Sequence, residues 1–379
     1  MIPLFKVNMV DSAIKEVNKT LASGFIGQGP KVGEFELRLM EWIDNDCIVT
    51  TNSATSGIHL SLHLLKKYFN EEKGIKIDDG DEVLCTPLTC TATNWPVLAN
   101  NFNIKWVDIN KNNLNMDLDD LEKKITSKTK IILVVHWGGY PIDIDGIKKI
   151  QLKAKEKYGF KPIIIEDCAH ACGSTYKGKK LGNHGNICIY SFQAIKHLTS
   201  GDGGMVVFPN NNLYKRAKLL RWYGIDRENN KDFRIEGDIS EWGYKFHMND
   251  INASIGIENL KNINEIVKIH QDNAKYYDNK LKNISDITIL ERKKDRTSSF
   301  WIYSMLVNNK KGFKKYMKEC NIMVSQVHER NDTHSCVNKY KNTLPTLDKI
   351  TPQLISIPVG WWVSKEDREY IVDCIKRGW

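Results

Sequence analysis

Along the first two thirds of the chain, short apolar runs alternate with segments in which hydrophobic residues recur every three or four positions. The runs fall at 47–51, 82–85, 104–107, 131–135, 162–166, 187–192 and 205–208. Most are too continuously apolar for a strand with one wet face, so they predict strands buried on both sides. Helical periods predict helices over 10–22, 31–42, 55–67, 143–157 and 213–222. Strands and helices alternating in this way imply a sheet covered by helices on both faces. After residue 250 the texture changes: helical stretches at 251–260 and 264–281 lead into shorter strands and helices. The pattern predicts a large α/β domain over 1–250 and a smaller α+β domain over 251–379. No internal repeat or low-complexity linker separates them.

Composition narrows the class. Hydrophobic residues are 41% and charged residues 27% of 379, the balance of a folded globular protein and not of a disordered one. The longest apolar run, 131–135, is far short of the roughly 20 residues that span a bilayer, so no membrane partner is expected. Residues 1–6 show neither a charged nor a sustained apolar signal region, and a cytoplasmic location is expected. The 9 cysteines are odd in number, scattered and without a CxxC pair, which points to thiols and not to a disulfide framework or zinc site. His59 and His63 stand four apart on a predicted helix, but Leu60 replaces the glutamate of a zinc-protease motif, so no metal is expected. The excess of 55 Lys+Arg over 46 Asp+Glu suits a phosphorylated ligand. Because the lysines are dispersed and no arginine tract interleaves with aromatics, nucleic acid is not the expected partner.

The chemistry is concentrated in two stretches. The run 162–166 leads into Asp167-Cys168-Ala169-His170, which places an acid at the carboxyl end of a buried strand, where α/β sheets bind ligands. Ser191 then ends a strand, Lys196 follows five residues on, and Gly201-Asp202-Gly203-Gly204 turns into the next strand. A lysine, an acid and a phosphate-binding serine facing one pocket suggest pyridoxal 5'-phosphate, which needs a covalent lysine, an acid on its pyridine nitrogen and donors for its phosphate. A further piece is Asn52-Ser53-Ala54-Thr55-Ser56-Gly57, small residues opening a helix whose free amides can hold phosphate. Each piece alone is commonplace as a solvated charge, a cap or a turn. Their order in one chain is the signal.

Taken together, Ser53-Ala54-Thr55, Glu166 to His170 and Ser191 through Lys196 to Gly204 resemble the DegT/DnrJ/EryC1/StrS sugar aminotransferase family. Gly24 to Pro30, Arg221 to Asp226 and Gly243 to Ala253 add to the likeness, which is specific around Asp167 and Lys196 and looser after about residue 265. The resemblance implies the fold type I architecture of pyridoxal-phosphate transferases: a mixed, mostly parallel seven-stranded sheet with a smaller C-terminal α+β domain. It implies transfer of the amino group of L-glutamate to a nucleotide-diphosphate keto-sugar, most simply a 4-keto-6-deoxyhexose, giving an amino sugar for glycan or lipopolysaccharide synthesis.

By the same resemblance Lys196 carries the cofactor and shuttles the proton, Asp167 pairs with the pyridine nitrogen, and His170 lies near the ring. Ser191 and the backbone of Ala54 and Thr55 hold the phosphate. Lys245, where many members have Asn, reaches the phosphate from the neighbouring subunit of a homodimer. Cys90 stands where relatives often stack an aromatic on the ring, leaving Cys90, Trp95 or Trp137 to fill that place. His136 and Trp137 are further candidates for cofactor or sugar contact. Gly27 and Gln28 lie beside the sugar, and His328 near the nucleotide. The rival enzymes are a 3-keto sugar aminotransferase and a sugar 3-dehydratase; in the latter histidine replaces the lysine, so Lys196 argues against it. The rival from another class is a DNA-binding regulator, which a colourless protein that cannot be reconstituted with cofactor would support.

Overall fold

The computed structural model describes residues 1–73, 76–227 and 238–379, without the side chains of 67–73. Its strands in chain order are β1 (Ile48–Thr51), β2 (Glu82–Cys85), β3 (Asn103–Trp106), β4 (Thr129–Val135), β5 (Ile163–Asp167), β6 (Thr175–Tyr176), β7 (Lys179–Lys180), β8 (Ile187–Ser191), β9 (Gly204–Val207), β10 (Ile287–Ile289), β11 (Arg296–Thr297), β12 (Tyr303–Val307) and β13 (Leu354–Ile357). Seven of them form the main sheet in the order β1-β9-β8-β5-β4-β2-β3. Only β9 in this sheet runs antiparallel to its neighbours. All seven apolar runs of the sequence are strands of this sheet, shifted by at most two residues at either end.

The continuous apolar runs are explained by two cores, one on each face. Alternate residues of a strand enter opposite cores: Ile131 and Leu133 of β4 enter one, Ile132 and Val134 the other. The first face is covered by Ile58, Leu62 and Leu65 of helix Ala54–Lys73 and by Leu213, Ala217 and Leu220 of helix Asn211–Leu220. Opposite lie Val32, Phe35 and Leu39 of helix Pro30–Ile43 and Ile147, Ile150 and Ala154 of helix Ile144–Tyr158. Burial of each such aliphatic side chain contributes about 1.5–3 kcal/mol. Helix Ile144–Tyr158 has a capped start and a defined stop: the Asp143 carboxylate accepts from the Gly146 amide, and Gly159 ends it in the left-handed conformation, φ 82°.

Helix Thr91–Ala99 was not foreseen. Threonines, an asparagine and an internal Pro96 give it poor intrinsic propensity, yet Val97 is fully buried in the first core. A third core surrounds the antiparallel sheet β10-β12-β13, with Tyr303, Met305 and Val307 facing helices Ile263–Leu281, Lys310–Glu319 and Lys365–Arg377. The opposite face of β12 turns Leu306 into the first core and Ser304 toward the Trp137 indole, which donates to its hydroxyl at 3.2 Å. The two sheets thereby meet beside the carboxyl ends of β4 and β5.

Candidate active site

The carboxyl ends of β1, β2, β4, β5 and β8 share one edge of the main sheet, and the start of β9 joins them because Gly204 pairs with both Thr51 and Ser191. Asp167, the last residue of β5, is buried there. Its Oδ1 accepts from the Ala169 amide at 2.9 Å, and its Oδ2 accepts from the Thr93 hydroxyl at 2.6 Å. Thr93 itself bonds the Thr89 hydroxyl at 2.8 Å. The helix bearing Thr93 begins at Cys90, whose carbonyl accepts from the Asn331 side chain at 3.3 Å, while the Asn331 amide donates to Pro87 O at 2.9 Å. Residues from the large sheet and from the C-terminal region thus jointly aim the carboxylate.

Lys196 is half-buried on the turn after β8. Its amide donates to Gln193 O at 2.9 Å, and its amine sits over the Trp301 ring, 3.6 Å from the centroid. Burial pushes the amine down to about 8, against the opposing pull of Asp167 and Cys90. An amine at that value exchanges protons near neutrality, which an ordinary lysine does not.

His170 stacks on Trp301 with ring centroids 4.0 Å apart and 20° between planes. Its Nε2 lies 3.4 Å from His328 Nε2, and those two rings are tilted by 5°. Burial, then the nearby Lys196 amine, hold His170 well below the ordinary imidazole range and bring His328 to about 4. Both rings are therefore neutral at pH 7, and one Nε2–H donates to the other. His170 Nδ1 is buried with no partner among the described residues. Trp137 meets both imidazoles edge-on, at 6.0 and 6.1 Å between centroids.

His136 does not face this pocket. It is fully buried, Ile142 N donates to its Nδ1 at 3.1 Å, and its Nε2 therefore carries the proton and donates to Glu166 at 2.9 Å. Burial alone would push Glu166 up, but the bonds from His136 and Asn186 outweigh it and hold the carboxyl below its usual range. Cys168 completes a cluster whose ligand atoms lie within 4.8 Å, yet both His136 nitrogens are already engaged in hydrogen bonds. His59 and His63 belong to an aromatic cluster in which His63 Nδ1 pairs with the Tyr244 hydroxyl at 2.9 Å.

At the other end of the edge, the helix beginning at Ala54 starts against Gly204. A Cβ on Gly204 would lie 2.6 Å from Ala54 N, so only glycine allows strand and helix terminus to approach this closely. Ser53 Oγ accepts from Ser56 N at 3.1 Å, while the Ala54 and Thr55 amides have no intrahelical acceptor. Ser191 lies across the β8–β9 ladder from Gly204. These residues fit pyridoxal phosphate: a helix terminus and a serine for the phosphate, an aspartate and an unpaired imidazole nitrogen for the ring, and a depressed lysine between them.

Lys245 is exposed, on a segment bridged to Trp222, and its carbonyl accepts from the Asn52 side chain at 3.3 Å. Gly243 is required in that segment because a Cβ would sit 2.4 Å from Leu220 O. The turn carrying Gly27 and Gln28 is clamped by Asp250, whose amide donates to Gly27 O at 2.7 Å and whose carboxylate accepts from Gly29 N at 2.8 Å. Gln28 lines a cavity of about 630 Å³ with Lys215, Lys218, Arg221, Trp222 and Arg227, none of which belongs to the Asp167–Lys196 cluster. The structure therefore groups Lys196, Asp167, His170 and His328 at one place, Ala54, Thr55 and Ser191 at a second, and leaves Gln28 in a third. Sequence reasoning missed Thr93 and Trp301; Thr93 was visible only as part of a threonine-rich stretch, and Trp301 carried no signal.

The sequence profile of the DegT/DnrJ/EryC1/StrS aminotransferase family matches residues 8–376. The crystal structure of AtS13 from Actinomadura melliaura aligns over 100% of this chain and 99% of its own, with TM-score 0.95 and 46% identity. The sugar aminotransferase CalS13 from Micromonospora echinospora aligns over 100% of both chains, with TM-score 0.95 and 42% identity. Spr1654 from Streptococcus pneumoniae in its PMP form aligns over 100% of this chain and 98% of its own, with TM-score 0.90 and 26% identity.

Proposed function

Because the chain belongs to the DegT/DnrJ/EryC1/StrS aminotransferase family and is a pyridoxal-phosphate-dependent enzyme of fold type I, we propose that it moves the amino group of L-glutamate onto a nucleotide-diphosphate keto-sugar. The acceptor in this reading is a 4-keto-6-deoxyhexose, and the working form is a cytoplasmic homodimer. The likeness to the sugar aminotransferase CalS13 supports a sugar acceptor. The single observation that carries the reading is the half-buried Lys196 amine, brought to about 8, in one pocket with an Asp167 whose two oxygens are both held by hydrogen bonds.

When bound, pyridoxal phosphate supplies the carbonyl that takes up nitrogen and the ring that stabilises negative charge on the substrate carbon. Lys196 would hold it covalently and, once freed, remove and return the proton at the reacting carbon, a task suited to an amine that titrates near neutrality. Asp167 would accept a hydrogen bond from the pyridine nitrogen, its orientation set by Thr93 and Ala169. His170 Nδ1 would meet a polar group of the ring. Ser191 and the amides of Ala54 and Thr55 would donate to the phosphate, with Lys245 of a second subunit adding charge. Gly27, Gln28 and His328 would contact the sugar nucleotide. A lysine at 196, where the dehydratase reading requires histidine, favours transamination. The test is incubation of the loaded enzyme with glutamate and a panel of nucleotide 4-keto and 3-keto sugars, followed by mass spectrometry. Amine gain by a 4-keto sugar is expected; no amine on any sugar would refute the reading.

A further inference from the structure

Trp301 has contacts on every side that the mechanism above does not use. It is 2% exposed. Its indole N–H donates to Ile195 O at 2.9 Å, which ties the residue immediately before Lys196 to the ring. His170 stacks on it at 4.0 Å and Phe5 at 5.0 Å with 24° between planes, so the indole cannot swing away. The Lys196 amine rests 3.6 Å from its centroid. We propose that Trp301 is a positioning residue that berths the Lys196 amine whenever it is not bonded to the cofactor. This rests on Lys196 being the cofactor-bearing lysine.

The choice of an aromatic face has a chemical reason. A freed lysine in a pocket with Asp167 is drawn toward that carboxylate, where an ion pair would fix the proton and the side chain together. The ring quadrupole attracts the ammonium without a lone pair that competes for its proton, so the cation is held yet remains able to titrate. The bond to Ile195 O keeps backbone and berth in register, so the amine returns to the same place in every cycle. The groups that bear on the amine from neighbouring elements are Asp167 on β5, Cys90 at the start of helix Thr91–Ala99, and the imidazoles of His170, His197 and His328. All of these side chains remain when Trp301 alone is changed, although His170 and His328 lose a stacking partner.

The test uses the full-length protein freed of cofactor. Lys196 is titrated by competitive acetylation with acetic anhydride over the neutral to alkaline range, and the labelled peptide is quantified by mass spectrometry. Wild type should titrate near 8. Since the ring favours the charged amine, Trp301→Leu and Trp301→Met should lower the midpoint by about one unit. Trp301→Phe keeps a smaller, weaker ring and should fall between, and it decides alone if the ring-less variants do not fold. Ring-less midpoints equal to that of wild type, or a Phe midpoint at or above it, would overturn the proposal. Failure of the functional reading itself is seen separately: borohydride would then fix the cofactor of wild type to a lysine other than Lys196.

Discussion

The floor of the pocket and its rim are built in different ways. On the floor, Asp167, Thr93, His170, Trp301 and His328 are interlocked by buried hydrogen bonds and ring stacks, and each is held by at least one element distant in sequence. In an outer region separate from that cluster, called the rim below, Lys245 is exposed and Gln28 is half-buried beside a cavity of about 630 Å³. A floor of this kind fixes the geometry of proton transfer within one chain. Lys245 faces outward and Gln28 Oε1 is buried with no partner among the described residues, which suits groups that are completed by a substrate or a second subunit. If chemistry belongs to the first region and selectivity to the second, substitutions in the two should have different signatures.

The largest effect is expected on the floor. Lys196→Ala should lower turnover by on the order of 10⁴ or more with the fold unchanged by circular dichroism. Asp167→Asn should keep the cofactor attached and lose roughly 10²–10³ in kcat, the scale for removing one preorganised charge contact; near-normal kcat would assign its role to another acid. Thr93→Val, nearly isosteric, removes the donor to Asp167 and should cost about tenfold in both half-reactions, measured by stopped-flow absorbance.

Rim substitutions should separate the half-reactions. Gln28→Ala is expected to leave the glutamate step near wild type and slow only amine transfer to the sugar; equal slowing of both would place Gln28 with the fold and break the comparison. Lys245→Ala should weaken cofactor retention by about 1–3 kcal/mol, read by equilibrium dialysis, and a fully active monomer would remove the reason for its role.

The smallest effect is a pH dependence. His328 is brought to about 4 in the folded chain from 6.5, so between these values the unfolded chain binds more protons. Its contribution to stability is present above pH 6.5 and lost as pH falls toward 4. Allowing for its partial exposure, His328→Gln should lose about 1 kcal/mol less than wild type on acidification through that window, measured by denaturant melts. Equal losses would mean that His328 titrates normally.

The parts that were legible in the sequence share a local signature. Most strands of the main sheet are continuous apolar runs, because both faces are covered, and Asp167 ends one of those strands while Lys196 lies five residues beyond another. The parts that were not legible depend on contacts without local trace. Thr93 meets Asp167 across 74 residues, on a helix whose Pro96 hides it, and Trp301 meets Ile195 across 106. His136 shows the converse: it directly follows β4 as Asp167 closes β5, but its ring is satisfied by Ile142 and Glu166 inside the core. Position at a strand end therefore marks candidates, and only the hydrogen-bond partners separate a site residue from a core one.

The most direct test of the account is borohydride reduction of the cofactor-loaded enzyme followed by peptide mapping. Pyridoxal phosphate should become fixed to the peptide containing Lys196, and Lys196→Ala should abolish this fixation. Fixation at another lysine, or undiminished fixation in the variant, would contradict it.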